Sequence, residues 1–369
     1  MKKFIALLLT MVMVLSLAAC GGKTEAPSAS SAPSTSTSAA KEETKNDEPT
    51  ANIAVVFSTL GDLNFNDWCW EGICQARDEL GIAFNYVEAG TVSEAATQID
   101  AFASDEIYDL IVVIGSDRGD SMEECAAAYP DQKFALIDAG VKTDLENVIG
   151  IRADYPQWQF LSGCLAGLAT LRPDDFKLAN ADNKIGFVGG ADTFTSRAGA
   201  AGFLSGAKYM NPDAELFYSI VGSYTDPTTA KEIALTMYGA GVDVTSVNCG
   251  SSANGVLAAA EESGRYFCST SPALISETNQ MCVSITRFDT FVYKAVEMVL
   301  NDTWEPGTHI YGIADGACEI SFDGVNIDVP ADIMDILKDV EKKIVNGEIE
   351  FTYEPNEIEE WSKTYQYKA

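Results

Sequence analysis

Two pairs of carboxylates stand at spacings that acid–base chemistry could use: Asp62 with Asp67, and Asp117 with Asp120. Two carboxyl groups in one site can divide the roles of acid and base. Both pairs follow apolar runs, in "GDLNFND" and "GSDRGD", where carboxylates also cap helices or accept hydrogen bonds from ligand hydroxyls. Other catalytic signals are missing. The one histidine, His309 in "EPGTHIYG", would be the single base open to a Ser-His-Asp arrangement, and no Gly-x-Ser-x-Gly elbow accompanies it. There is no H-E-x-x-H and no Walker A sequence. "GFVGGADTF" lacks the spacing of a dinucleotide site, and His309 reads as structural. The balance favours capturing a solute over transforming it, with no enzyme activity, cofactor or metal. A cleft enzyme built on Asp117 and Asp120 is the competing reading.

Binding chemistry is richer. "GDLNFNDWCWEG" (61–72) crowds acids, amides and flat rings directly after an apolar run. Asp62 and Asn66 can orient a polar ligand, and Phe65 offers a π face to a heterocycle. Trp68 is placed at the cleft and Trp70 in the core, on helical spacing beside Cys69. Arg118, next to Asp117, and Arg197, in "DTFTSR", could clamp a carboxylate or phosphate. Each could equally pair with a local carboxylate on the rim.

These residues need elements to hold them. Short apolar, β-branched runs predict strands at 53–57, 110–115, 133–138, 148–153, 184–190, 216–222, 242–248, 265–270 and 281–287. Between the first two, Cys69, Ile73, Ala76 and Leu80 form one apolar stripe on a helix, and "QFLSGCLAGLAT" (159–170) reads as a buried helix. Strands that are apolar on both faces and alternate with helices predict an α/β class with parallel sheets. Most of the runs end in glycine and polar residues: "GDLNFND", "GSDRGD", "DAG", "GGADTF", "GSYTD", "CGSSANG" and "STSPA". In open parallel sheets, ligands bind beyond the carboxyl ends of the strands. Two such sheets facing each other would gather these loops around one cleft.

The ends of the chain have a different character. Lys2 and Lys3 precede an uncharged apolar run, and "LAAC" closes it at Cys20. This reads as an export signal (1–20) with the lipobox of bacterial lipoproteins, Cys20 carrying the lipid. Residues 21–50 have almost no large apolar side chains and predict a flexible tether. A body of roughly 320 residues exceeds one ordinary core and predicts two lobes. The formal net charge of -31 excludes nucleic acid and electrostatic docking on anionic lipid. Of nine cysteines, the eight beyond Cys20 show no C-x-x-C pair and no metal-ligand spacing. Thiols kept in a reducing habitat and unassigned disulfides are the two readings.

Taken in order, the motifs resemble one family. "DLNFND", "YDLIVVIG" with Asp120, "YPDQKFALID", "FLSGCLAGLAT", "KIGFVGGAD", "AGFLSGAKYMNPDAE", "VGSYTDPTTAKEIAL", "ANGVLAAAEESG", "ITRFDTFVYKAV" and "IYGIADG" are similar to the basic membrane lipoprotein family. Its members are substrate-binding proteins of ABC transporters that capture purine nucleosides. The resemblance implies a type I periplasmic-binding-protein fold: two Rossmann-like lobes joined by a three-segment hinge and closing on ligand. Lobe one is expected at 51–153 plus 281–305, and lobe two at 154–280 plus 306–369. The family's opening motif implies ligand roles for Asp62, Phe65 and Asn66. Asp120 and Asn254 match further positions near its cleft. Ser271 stands where the family has an Asp that holds the ribose hydroxyls, and Thr286 stands in place of a Lys. Gly199 replaces a second stacking Phe, and Ser116 replaces an aromatic residue. Each lost charged hydrogen bond weakens nucleoside binding by roughly 1–3 kcal/mol. The expectation is a lipid-anchored, extracytoplasmic binding protein of the cell membrane, delivering a nucleoside to an ABC permease. A non-nucleoside metabolite, an acidic one among them, and a receptor role for a membrane sensor are the alternatives.

Overall fold

Runs such as "IAVVF" and "LIVVI" have no polar face, so they are stable only when covered on both sides. The computed structural model buries both almost completely. It describes residues 48–364 apart from Leu63 and Tyr353, and without the side chains of residues 358, 359 and 362. The export signal, Cys20 and tether residues 21–47 lie outside the described residues.

The first sheet is built from β1 (Asn52–Phe57), β2 (Ala83–Glu88), β3 (Leu110–Ile114), β4 (Phe134–Ile137) and β5 (Val148–Ala153). Helices α1 (Phe65–Leu80), α2 (Val92–Ser104) and α3 (Gly119–Ala128) connect them. Helix α4 (Tyr155–Leu171) leads to β6 (Lys184–Gly189), α5 (Phe194–Met210), β7 (Glu215–Ile220), α6 (Pro227–Gly239), β8 (Val244–Asn248), α7 (Ala253–Ser263), β9 (Tyr266–Ser269) and β10 (Gln280–Thr286). The chain then forms α8 (Phe288–Leu300), β11 (Gly307–Tyr311), β12 (Cys318–Ser321), α9 (Ala331–Val345) and α10 (Pro355–Thr364). The sheet orders are β11-β5-β4-β3-β1-β2 and β12-β10-β9-β8-β6-β7. Every pairing is parallel except β10 with β12. The chain therefore passes between the sheets three times, after β5, after β10 and after β11.

All nine expected strands form. Three more, β2, β11 and β12, lie at sheet edges. Their side chains are mostly half-buried or exposed, so they lack the continuous apolar run that marks a central strand. The expected lobe boundaries need two corrections. Residues 281–286 were placed with the first lobe, yet β10 pairs with β9 and β12 in the second sheet. Residues 307–311 were placed with the second, yet β11 pairs with β5 in the first. Hydrogen-bond pairing decides membership, and apolar pattern alone does not show which neighbour a strand takes.

Helix α4 is buried over nearly its whole length and packs chiefly on α5. Glycines make the approach close. A Cβ on Gly163 would overlap the carbonyl oxygen of Phe203, and one on Gly206 would overlap that of Phe160. On α1, Cys69, Ile73 and Ala76 are fully buried as the stripe predicts, and Gly72 lies against the Asp289 backbone of α8. Cys69, Cys125, Cys164, Cys249, Cys268, Cys282 and Cys318 are buried free thiols, with the packing role of small hydrophobes.

Candidate functional site

Following β1, the chain turns through Ser58–Asp62 into α1. Asp62 turns its carboxylate inward on this turn: Oδ1 accepts from the backbone N–H of Asn64 and Asp67, and Oδ2 from the backbone and side-chain N–H of Asn66. It thus does the capping that Asn64, at the N-cap position, does not. Asn66 is buried, and its Oδ1 accepts from Ser58 N–H and Ser58 Oγ. These two residues fasten strand to helix, so their polar atoms are largely committed to the protein. Phe65 is half-buried, with its ring edge-on to Phe288 at 4.7 Å between centroids. Trp70 belongs to an aromatic nest with Phe57, Phe84 and Tyr86. Trp68 is half-buried and outside the three apolar clusters of described residues.

The two expected carboxylate pairs do not become acid–base couples. Asp117 holds Arg118 at 2.7 Å, whereas Asp120 holds Lys142 at 2.7 Å on the exposed rim. Asp67 accepts from Gly61 N–H. Arg118 is buried, and its Nη2 donates to Ala89 O. That geometry ties α2's approach to the end of β3 and commits both terminal nitrogens of the guanidinium, while its buried Nε has no hydrogen-bond partner among the described residues. Arg197 pairs with Asp192 at 2.6 Å and lines a cavity of about 280 Å³ formed with Leu216, Tyr218, Pro355 and Asn356. Asn254 is exposed and donates to Ser251 O. Ser271 is half-buried, its Oγ accepting from Ala273 N–H. His309 lies on edge strand β11, its Nε2 2.7 Å from Glu305 O.

At the four substituted family positions, Ser116 is exposed and Thr286 is buried at the end of β10. Gly199 faces Phe187, Trp158 and Gln159, so a ring there would displace interior packing.

Where the two sheets meet, a cluster forms that the motif reading did not single out. Asp138 follows β4 with φ 69°, a left-handed conformation that costs a non-glycine residue on the order of 1–2 kcal/mol. It is held there by its N–H to Ile151 O and by Tyr155, whose hydroxyl donates to Asp138 O at 3.0 Å and lies 3.1 Å from Oδ1. Burial pushes the Asp138 carboxyl up to about 7, against the opposing pull of Tyr155 and Arg152. Arg152 lies over the rings of Tyr155 and Phe194, at 5.3 and 5.6 Å. Tyr155 and Phe194 are 6.1 Å apart. Phe194 opens α5 in the second lobe, whereas Asp138 and Arg152 end strands of the first. The sequence signal for Asp138 was the "DAG" strand end. Nothing local distinguished it from the other strand ends.

Two six-stranded, mostly parallel sheets covered by helices make the periplasmic-binding-protein fold. A solved example, an ABC transporter solute-binding protein from Aeropyrum pernix, superposes with a TM-score of 0.71 at 23% identity, covering 85% of this chain and 98% of that one. A second, from Conexibacter woesei, gives a TM-score of 0.64 at 20% identity over 82% of this chain and 99% of that one. The chain belongs to the Bmp family, described as ABC transporter substrate-binding protein PnrA-like, whose profile matches residues 51–354. This is a family of binding components, not of enzymes. An uncharacterized lipoprotein from Pyrococcus furiosus is 26% identical over 81% of this chain and 84% of its own length. A CD4+ T-cell-stimulating antigen from Listeria monocytogenes is 32% identical, with 57% of each chain matched. The ABC transporter nucleoside-binding protein BmpA of Lactococcus lactis is 28% identical over 57% of this chain and 58% of its own length.

Proposed function

We propose that this protein is the lipid-anchored, extracytoplasmic binding component of an ABC importer, that it holds a nucleoside between its lobes, and that a membrane permease receives it. The lipid would be carried by Cys20 of the lipobox. The observation that carries the ligand class is a set of ring pairs and one strained acid at or just beyond strand ends. Phe65 meets Phe288, Tyr155 meets Phe194, and the Tyr155 hydroxyl bonds Asp138. Flat rings suit a heterocyclic base, and a carboxyl group suits the donors of a base or sugar. The relative named as nucleoside-binding supports the same class. An acidic metabolite is less well served, because Arg118, Arg197 and Arg287 each already hold a carboxylate.

Calorimetry with adenosine, guanosine and inosine tests the proposal. At least one is expected to bind, and Phe65→Ala is expected to weaken it by roughly 1–3 kcal/mol through lost ring area and stacking. Failure of all three nucleosides, with a compound of different mass retained in native mass spectrometry, would reject the nucleoside assignment while leaving the family intact.

A further inference from the structure

The three passages between the sheets are hydrogen-bonded to one another. Asp154 N–H donates to Tyr311 O at 2.8 Å, joining the first passage to the third, and Arg287 N–H donates to Ala317 O at 2.9 Å, joining the second to the third. A side-chain relay reinforces the first of these joints. The Asp154 carboxylate, 1% exposed, accepts from Gln157 N–H at 3.2 Å and from Gln157 Nε2 at 2.7 Å. That orients the amide so that Gln157 Oε1 accepts Ile313 N–H at 2.9 Å. On the far side, Asp315 Oδ2 accepts Gly312 N–H at 2.8 Å. Gly312 is the residue the relay can accommodate, since a Cβ there would run into the Gln157 amide.

An amide has a donor end and an acceptor end, and this one uses both across the hinge. We propose that Gln157 is the pin of the hinge and Asp154 the residue that orients it: the Asp154 carboxylate holds the amide with Oε1 toward Ile313, and the amide in turn holds the third passage. The inference rests on the two-lobe binding reading and is independent of which ligand is bound. Burial pushes Asp154 up to about 6, with Asp315 adding to the rise and the Gln157 bonds and Arg152 opposing it. The groups facing it are Arg152 from β5, Tyr311 and Asp315 from the third passage, and Cys318 from β12, whose Sγ is 3.9 Å from Asp154 O. The charged form is the one the relay needs, because an ionised carboxylate is the stronger acceptor for Nε2.

The test is amide hydrogen exchange of the full chain without ligand at about pH 7, with rates normalised to intrinsic exchange. Gln157→Leu is expected to cost the Ile313 amide about tenfold in protection, and Asp154→Ala to lower it in the same direction, while Val112 in β3 keeps its protection as the global reference. Unchanged Ile313 protection in Gln157→Leu would overturn the proposal, as would a loss at Val112 as large as that at Ile313. Neither outcome bears on whether nucleosides bind, so this reading and the nucleoside assignment fail separately.

Discussion

Asp62 and Asp138 show how differently two strand-end acids can be used. Asp62 accepts four N–H groups from its own turn, so its carboxylate is committed to capping. Asp138 is held in a left-handed conformation beside the other lobe, with its proton affinity raised by burial. Asp243, fully buried before β8, is raised in the same way to about 7 despite its ion pair with Arg265 at 3.0 Å. A carboxyl group whose pKa is raised by folding binds its proton more tightly in the native chain than in the unfolded one. Its stabilising contribution is complete below the unfolded value near 4 and is lost as pH rises through about 7. Thermal stability is therefore expected to fall between about pH 5 and about pH 8, by an amount on the order of a few kcal/mol for such a group. Asp243→Asn should flatten that slope, and melting curves whose pH dependence runs parallel to the unaltered chain's would refute the assignment.

At the scale of elements, glycine placement governs how helices seat. The stripe Gly163 and Gly167 on α4 meets Gly202 and Gly206 on α5 so closely that each helix touches the other's backbone. Gly206→Ala is expected to destabilise the fold by at least about 1–3 kcal/mol, because the new methyl has nowhere to go without separating the helices. Urea unfolding would read this as a lower midpoint at unchanged slope. An unaffected midpoint would mean that the helix pair can slide apart freely. Central strands and the α1 stripe were legible because full burial leaves a continuous or periodic apolar record. Edge strands β2, β11 and β12 were not, since their half-exposed stretches carry no continuous apolar run, whereas edge strand β7 was legible through Leu216, Phe217 and Tyr218 in succession.

For the whole molecule, the proposed role is that of a two-lobed body that closes on the solute it holds. A nucleoside that binds the native chain and not the unfolded one should raise stability by about 2.7 kcal/mol when present at a hundred times its dissociation constant. A thermal-shift titration would show this as a rise that continues with ligand concentration. A flat response to all three nucleosides, agreeing with null calorimetry, would return the ligand to the open question.

The sequence by itself determined the α/β class, the run of central strands and the family, because these are written in local apolar pattern and in motifs that keep their order along the chain. It also marked the strand-end loops as the place for chemistry. Tertiary structure alone decided which of those loops face each other, that β10 and β11 exchange sheets, and that Arg118, Arg197 and Asp120 are taken up by neighbouring charges. It alone brought Asp138 to Tyr155 and Arg152 to Phe194. Contacts between residues far apart in the chain depend on how sheets pair and helices seat, and no short stretch of sequence records that.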